Sequence, residues 1–254
     1  MFLYPVFDKT GKKVLSKSND ATSAMQDIIV YALKKDSALY VEHSDMESAC
    51  LLVKGRAEFS YNANTIVSSR NDFFTDPPFC VHISKSTVIK ITALEDSEIL
   101  VQSTQNPRKF EPTIYDSTNI RRFVSCKDKW ENTAIRDVVT IFDYSNAPYS
   151  NMVIGEVYAR QGRWWSYIPH SHPQPEVYYY RFNNPHGFGA CFIGETAYTI
   201  KDGSVGIFEG GFTHAQVTAP GYPMYCCWMI RHLDGNPWRE TRTDDPNHSW
   251  LLRI

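Results

Sequence analysis

The sequence predicts an all-β protein made of two small β-barrels. Its 254 residues include 15 Tyr and 14 Phe, and Val, Ile and Thr recur between turn residues in runs of roughly four to eight residues, as in strands. Within these runs apolar and polar residues mostly alternate with a period of two, the pattern of a strand with one buried face. Strands at this density indicate a barrel or a sandwich.

Several segments give clear strand patterns, at residues 49–53, 57–61, 88–92, 138–142 and 153–158. The segment 24–33 has a periodicity that also fits a helix, but its β-branched centre favours a strand. The tripeptide Lys54-Gly55-Arg56 is predicted to form a turn between two strands.

A break in the strand pattern divides the chain into two halves of similar size. Prolines and charged residues interrupt the alternation between residues 106 and 130. We therefore expect an N-terminal barrel over residues 1–115 and a C-terminal barrel over residues 116–254. The first half has only His43 and His82, which are too far apart to form a His-x-His pair, so any metal site is expected in the second half.

Composition narrows the function. The net charge of -2 argues against nucleic acid or an anionic membrane as the main partner. The apolar runs are too short for a membrane span, and the first residues lack the pattern of a signal peptide, so we expect a cytoplasmic protein. Six cysteines without a CxxC pair are expected to be reduced and mostly buried, and none is marked as a nucleophile.

Four residues of the second half have the donor groups of a metal site. His170 and His172 are two apart and therefore project to one face of a strand. Glu176 follows a bend at two prolines, and His214 follows a glycine-rich turn. Three imidazoles and one carboxylate can hold a divalent transition metal, and this donor set accepts Mn, Fe, Co, Ni or Zn.

The surrounding residues suggest an inward face for two strands. If Glu176 opens a strand, Tyr178 and Tyr180 point the same way. On the strand that begins at His214, Gln216 shares the inward face. A polar pocket of this kind suits a sugar acid better than an apolar aromatic substrate.

The His-x-His-x3-Glu run and the later Gly-x5-Glu-x-Gly-x2-His run closely resemble the paired motifs of the cupin superfamily. A more specific resemblance is to the 5-deoxy-glucuronate isomerase family of myo-inositol catabolism, carried by residues 155–157 (GEV), 165–172 (WSYIPHSH), 176–182 (EVYYYRF), 187–189 (GFG) and 244–251 (DDPNHSWL). Weaker agreement at 51–57 (LLVKGRA) and 76–79 (DPPF) extends it over most of the chain.

This resemblance implies a bicupin fold, with two double-stranded β-helix barrels and a metal in the second one. It implies metal ligands at His170, His172, Glu176 and His214. The implied reaction is an aldose-ketose shift from 5-deoxy-glucuronate to 5-dehydro-2-deoxy-gluconate, in which the metal stabilises an enediolate. Only three residues separate His172 from Glu176, fewer than we expect in the family, and a shorter loop would admit a different sugar acid or leave the site more open.

Candidate catalytic and substrate-binding residues follow from position. The proton shuttle has several candidates, namely Glu209, Tyr178, Tyr180, His186 and His248, and Glu209 is favoured because it adjoins the turn before His214. The substrate carboxylate needs a cation, for which Arg181 is the first candidate and Lys201 and Arg231 are alternatives. Gln216 and His248 are further candidates for substrate binding.

Two other functions stay open from the sequence. One is a different cupin metalloenzyme, either another uronate isomerase or a dioxygenase. The other is a sugar-acid-binding protein without catalysis, in which the metal is structural. Each of these implies a small-molecule partner, and exposed strand edges would also permit a homo-oligomer.

Overall fold

The computed structural model describes residues 1–19 and 24–253, and nearly all of its regular structure is β-strand, as predicted. The only helices in these ranges are two short 3₁₀ segments, Trp130–Asn132 and Ser249–Arg253. The strands up to residue 115 are β1 (Phe2–Leu3), β2 (Lys12–Ser16), β3 (Asp27–Leu33), β4 (Ala38–Val41), β5 (Met46–Tyr61), β6 (Asn64–Arg70), β7 (Phe79–Ile83), β8 (Ile89–Ala93), β9 (Ser97–Gln105) and β10 (Thr113–Tyr115).

The rest of the chain adds eleven strands. They are β11 (Arg121–Ser125), β12 (Arg136–Phe142), β13 (Met152–Ala159), β14 (Trp164–Ser171), β15 (Glu176–Phe182), β16 (Phe188–Ile193), β17 (Thr196–Lys201), β18 (Val205–Phe208), β19 (His214–Thr218), β20 (Met224–Arg231) and β21 (Thr243–Asp244). All five clear strand predictions are confirmed, and the segment 24–33 contains strand β3 rather than a helix.

Antiparallel pairing arranges these strands in three sheets. The first half forms a nine-stranded sheet with the path β10-β7-β5-β9-β3-β2, to which β4, β6 and β8 are attached. The second half contributes two sheets that face each other, in the orders β1-β18-β15-β20-β13-β12-β11 and β17-β16-β19-β14-β21. Strand β1 thus belongs to the second half by pairing, and the division at residue 115 remains a prediction.

The predicted turn at Lys54-Gly55-Arg56 is instead part of one long strand. Strand β5 runs without a break from Met46 to Tyr61, with a register shift between Leu52 and Lys54. Gly55 has a φ of +103°, and a Cβ there would lie 2.4 Å from Ser97 Oγ. Glycine therefore bends the strand, which exchanges partners β7 and β9 for β6 and β8 without ending.

The two faces of strands β15 and β20 pack into different cores. Tyr178, Tyr180 and Trp228 lie in the core of the second barrel, whereas Tyr179 and Cys227 lie in a core that both halves share. Because neighbouring residues on a strand point in opposite directions, residue parity decides which side chains can reach the interior of the barrel.

Two further expectations can be compared with the structure. All six cysteines are free, and five of them are buried, as expected for reduced thiols. Among the described residues, no helix has the length and apolar character needed to cross a membrane.

Candidate metal centre

The four predicted ligands come from the ends of three strands. His170 lies near the end of β14, His172 follows that strand, Glu176 opens β15 as predicted and His214 opens β19. Glu176 Oε2 lies 3.1 Å from His172 Nε2 and 3.4 Å from His214 Nε2. A ligand atom from each of these three residues falls within 4.8 Å of the others, a spacing that one metal ion can bridge.

His170 stands beside this group of three. Its ring centroid is 4.8 Å from that of His214. His170 Nδ1 is 3.0 Å from Ile168 O, and His214 Nδ1 is 3.2 Å from Phe212 O. Each carbonyl accepts a hydrogen bond from Nδ1–H. The proton of the neutral ring is therefore on Nδ1, and Nε2 carries the lone pair that can bind a metal.

The chemistry of these donors fits a divalent transition metal. Burial lowers the pKa of His170 and of His214 to about 3, so both rings are neutral, the form that binds a metal. Nδ1 of His172 is buried without a hydrogen-bond partner, while its Nε2 faces Glu176. Two imidazoles and a carboxylate meet within 4.8 Å and the His170 ring lies beside them, a donor set that fits the metal implied by the cupin resemblance.

The glycine turn places His214 against the loop that carries His172. Gly211 N–H donates to His172 O at 2.8 Å. A Cβ on Gly210 would lie 1.8 Å from Pro173 O, and Gly211 has a φ of +92°. Only glycine permits this close approach and this backbone conformation without strain, and the turn therefore fixes the distance between His214 and the His172 loop.

A cavity of about 320 Å³ opens onto three of these residues, at the lower end of the range for small-molecule sites. His170, His172 and Glu176 line it, together with Trp165, Tyr178 and Arg136. The cavity lies between the two sheets of the second barrel, and exposed residues such as Phe123 and Glu240 border its mouth.

The candidate catalytic residues differ in their relation to the cavity. Tyr178 lines it, and the Tyr178 hydroxyl lies 3.3 Å from both His214 Nε2 and Ser166 Oγ. Burial raises the pKa of Tyr178 well above its usual value, and the Glu176 carboxylate acts in the same direction. The Tyr180 hydroxyl is buried without a partner and lies outside the cavity lining.

The structure does not bring Glu209 or His186 to the cavity. Glu209 is exposed at the glycine turn and does not line the cavity. His186 is exposed in the turn after β15. His248 lines a different cavity of about 480 Å³, bordered also by Trp164.

None of the three cations proposed for the substrate carboxylate lines the cavity. Arg181 has the opposite parity to Glu176 on β15 and pairs with Glu98 and Asp202. Arg231 is on the outward face of β20 and donates from Nε to Thr104 Oγ1 at 2.9 Å. Lys201 is exposed. The physical reason is alternation along each strand, which directs Arg181 and Arg231 towards the first half.

Gln216 points into the barrel, as predicted, but away from the cavity lining. It is fully buried, and its Nε2 lies 3.7 Å from Cys191 Sγ. Its Oε1 is buried without a partner. The structure therefore places Gln216 in the packed part of the barrel.

The sequence reasoning missed two arginines that do line the cavity, Arg136 and Arg242. Arg136 opens β12 and is 7% exposed. Arg242 precedes β21 and pairs with Asp244 at 2.9 Å. The available signal was the alternation along β12, which puts Arg136, Val138 and Thr140 on one face, but the sequence alone does not show which face borders the candidate metal ligands.

The fold and the site define the class: this is an all-β protein of the cupin fold with a candidate metal centre in its second barrel. A model of the KduI/IolB family matches residues 2–251. The chain therefore belongs to the KduI/IolB family.

Similar proteins agree with this placement. The chain is 27% identical over 243 residues to a protein named 5-deoxy-glucuronate isomerase from Geobacillus kaustophilus (strain HTA426), covering 88% of this chain and 84% of that protein. A protein of the same name from Bacillus subtilis (strain 168) is 24% identical, with coverage of 84% and 83%.

Solved structures show the same fold. The crystal structure of an IolB-like protein from Salmonella typhimurium LT2 aligns with a TM-score of 0.81 and 22% identity, covering 89% of this chain and 90% of that chain. A mutant of Bacillus subtilis oxalate decarboxylase OxdC aligns with a TM-score of 0.68 and 12% identity, covering 100% and 81%. These likenesses confirm the predicted bicupin architecture.

Proposed function

We propose that this protein is a metal-dependent aldose-ketose isomerase of a sugar acid, with 5-deoxy-glucuronate as substrate and 5-dehydro-2-deoxy-gluconate as product. The observation that carries the proposal is that His172, Glu176 and His214 lie within reach of one metal ion, while His170, His172 and Glu176 line one cavity. The isomerase name of the relatives supports the reaction type.

His170, His172, Glu176 and His214 would hold the metal. Their roles differ in detail, since two rings are oriented by backbone carbonyls and His172 is held by its position next to Glu176. When bound there, a divalent cation supplies Lewis-acid stabilisation of the negative charge that develops on the substrate oxygens during the hydrogen shift.

Of the three predicted catalytic residues, Glu209, Tyr178 and Tyr180, only Tyr178 has a role in the proposed reaction. Tyr178 lines the cavity and its hydroxyl lies 3.3 Å from His214 Nε2; the hydroxyl would donate a hydrogen bond to a substrate oxygen. Ser166 Oγ lies 3.3 Å from the same hydroxyl, and a hydrogen bond between them would orient it. Tyr180 and Glu209 lie outside the cavity lining and have no role in this proposal.

The test combines metal analysis with an isomerase assay on 5-deoxy-glucuronate, with and without chelator. We expect about one divalent metal per chain and conversion that chelator abolishes. His172→Ala should lose both metal and activity while the far-UV circular dichroism spectrum stays that of a folded β protein. Glu209→Gln is the matched control, and it should retain both.

The outcomes separate the alternatives. Stoichiometric metal without conversion would keep the metal site but indicate another sugar acid, consistent with the three-residue loop between His172 and Glu176. Full metal occupancy in His172→Ala would refute the assignment of the ligands. Conversion that persists after the metal has been removed would refute the metal-dependent mechanism.

A further inference from the structure

Arg136 is a buried guanidinium that faces the cavity and has no acidic partner. Only 7% of the residue is exposed. No ion pair within residues 1–19 and 24–253 includes it. Burying an unpaired charge is costly, so such a group is expected where it meets an anion.

The hydrogen bonds of Arg136 leave one edge of the guanidinium free. Nη1 donates to Ala134 O at 3.0 Å and to Cys126 Sγ at 3.2 Å. Nε and Nη2 form no hydrogen bond in the described structure, and neither atom is sealed inside protein. These two N–H groups point the same way and form the planar fork that matches a carboxylate.

The nearby charges favour an anion at this edge. Arg242 borders the same cavity and adds a second positive charge, although its own Nε is paired with Asp244. Glu240 also borders the cavity but is exposed and is paired with Arg121. Burial lowers the pKa of Arg136, and the nearby Arg242 charge lowers it further, whereas Cys126 raises it. A bound anion would offset both the cost of desolvating the Arg136 charge and its repulsion by Arg242.

We infer that the Nε/Nη2 edge of Arg136 binds the carboxylate of an open-chain sugar acid whose other end lies at the His/Glu cluster. This inference rests on the proposed function for the identity of the substrate. Arg136 comes from β12 and Glu176 from β15, and β13 and β20 lie between them in the sheet. The aldehyde and the carboxylate of a uronate lie at opposite ends of its carbon chain, so anchoring one end selects which carbons meet the cluster.

The binding test uses the intrinsic fluorescence of the cavity tryptophans, which include Trp165 and Trp228. Purified protein with its own metal is titrated with D-glucuronate, D-glucuronamide and D-glucose. We expect glucuronate to bind roughly 10- to 100-fold more tightly than the two uncharged sugars, as for a charge-assisted hydrogen bond. In Arg136→Met this preference should disappear.

Arg231→Met is the matched control, because Arg231 is also a buried arginine but faces the first half. It should retain the preference for glucuronate. Arg136→Gln repeats the test with a polar side chain if the methionine variant does not fold, and the same loss is expected. Metal content should be unchanged in both Arg136 variants.

The results separate this inference from the proposed function. Preference for glucuronate in the folded Arg136 variants would overturn the assignment of Arg136, as would equal binding of the three sugars by the wild-type protein. An Arg136-dependent preference without any isomerase activity would support the carboxylate subsite while refuting the proposed reaction. With active enzyme, the Arg136 variants should show a KM for 5-deoxy-glucuronate raised roughly 10- to 100-fold.

Discussion

Removing the negative charge of Glu156 should destabilise the interface between the two halves of the protein. Glu156 is fully buried on β13 and forms a two-point ion pair with Arg70 of the first half, at 2.7 and 2.8 Å. Tyr225 donates to the same carboxylate at 2.7 Å, and Tyr158 also donates to it. In Glu156→Gln the neutral amide leaves the buried Arg70 charge without a counter-ion.

The expected loss is large. Removing one partner of a buried ion pair typically costs about 3–5 kcal/mol, because the remaining charge stays desolvated. The other contacts of Arg70 are neutral acceptors, namely Leu52 O at 3.2 Å, Phe73 O at 3.3 Å and the Tyr158 hydroxyl at 3.1 Å, which cannot replace a carboxylate. For a chain of this size the melting temperature should fall by roughly 6–20 °C.

The assay is thermal and denaturant unfolding followed by circular dichroism, with a double-mutant cycle. Arg70→Met should cost a similar amount, whereas the double variant Arg70→Met/Glu156→Met should be less destabilised than the sum of the single changes. Tyr225→Phe is the control and should cost less, about 1.5–3 kcal/mol, the value of one hydrogen bond to a charged group. A loss below about 1 kcal/mol in Glu156→Gln would refute the reasoning.

Three other predictions concern packing and accessibility. Gly155→Ala should displace the Trp228 ring and lower stability by about 1–3 kcal/mol, because the new Cβ would lie 2.3 Å from it; tryptophan fluorescence and unfolding curves measure this. Gly210→Ala should lower the metal content, since its Cβ would clash with Pro173 O at 1.8 Å; unchanged metal would contradict this. A thiol reagent should modify only Cys126 in the native protein, because the other five cysteines are buried, and all six after unfolding.

The sequence was sufficient for the fold class and for predicting that the residues of the candidate metal centre lie close together. The period of two located β8 and the second part of β5, where buried residues alternate with partly exposed ones. Strand β13 is buried on both faces, and its run of apolar and β-branched residues located it. His170, His172 and Glu176 lie within seven residues of each other, so local spacing determines much of their geometry. The bend in β5 at Gly55 was missed because one glycine among strand residues also fits a turn, and only the pairing with two sets of neighbours distinguishes the two.

The substrate side of the cavity was harder to predict because its residues are distant in sequence. Arg136 lies 34 residues before His170, and Arg242 lies 28 residues after His214. They reach the cavity through pairing of β12 with β13 and of β14 with β21. No local pattern encodes such pairings, because they depend on the order of strands in the sheets.

The alternation of side chains along a strand would nevertheless have excluded two of the predicted cations, Arg181 and Arg231, from the cavity. Arg181 is five residues after Glu176 on β15, and an odd separation puts it on the opposite face from a residue at the metal centre. On β20, Arg231 directly follows Ile230, which lines the cavity. In this barrel, a cationic side chain can therefore reach a sugar acid only if it is an even number of residues from the cavity-lining residues of its strand. Arg136 meets this condition, because it is two residues from Val138 on β12.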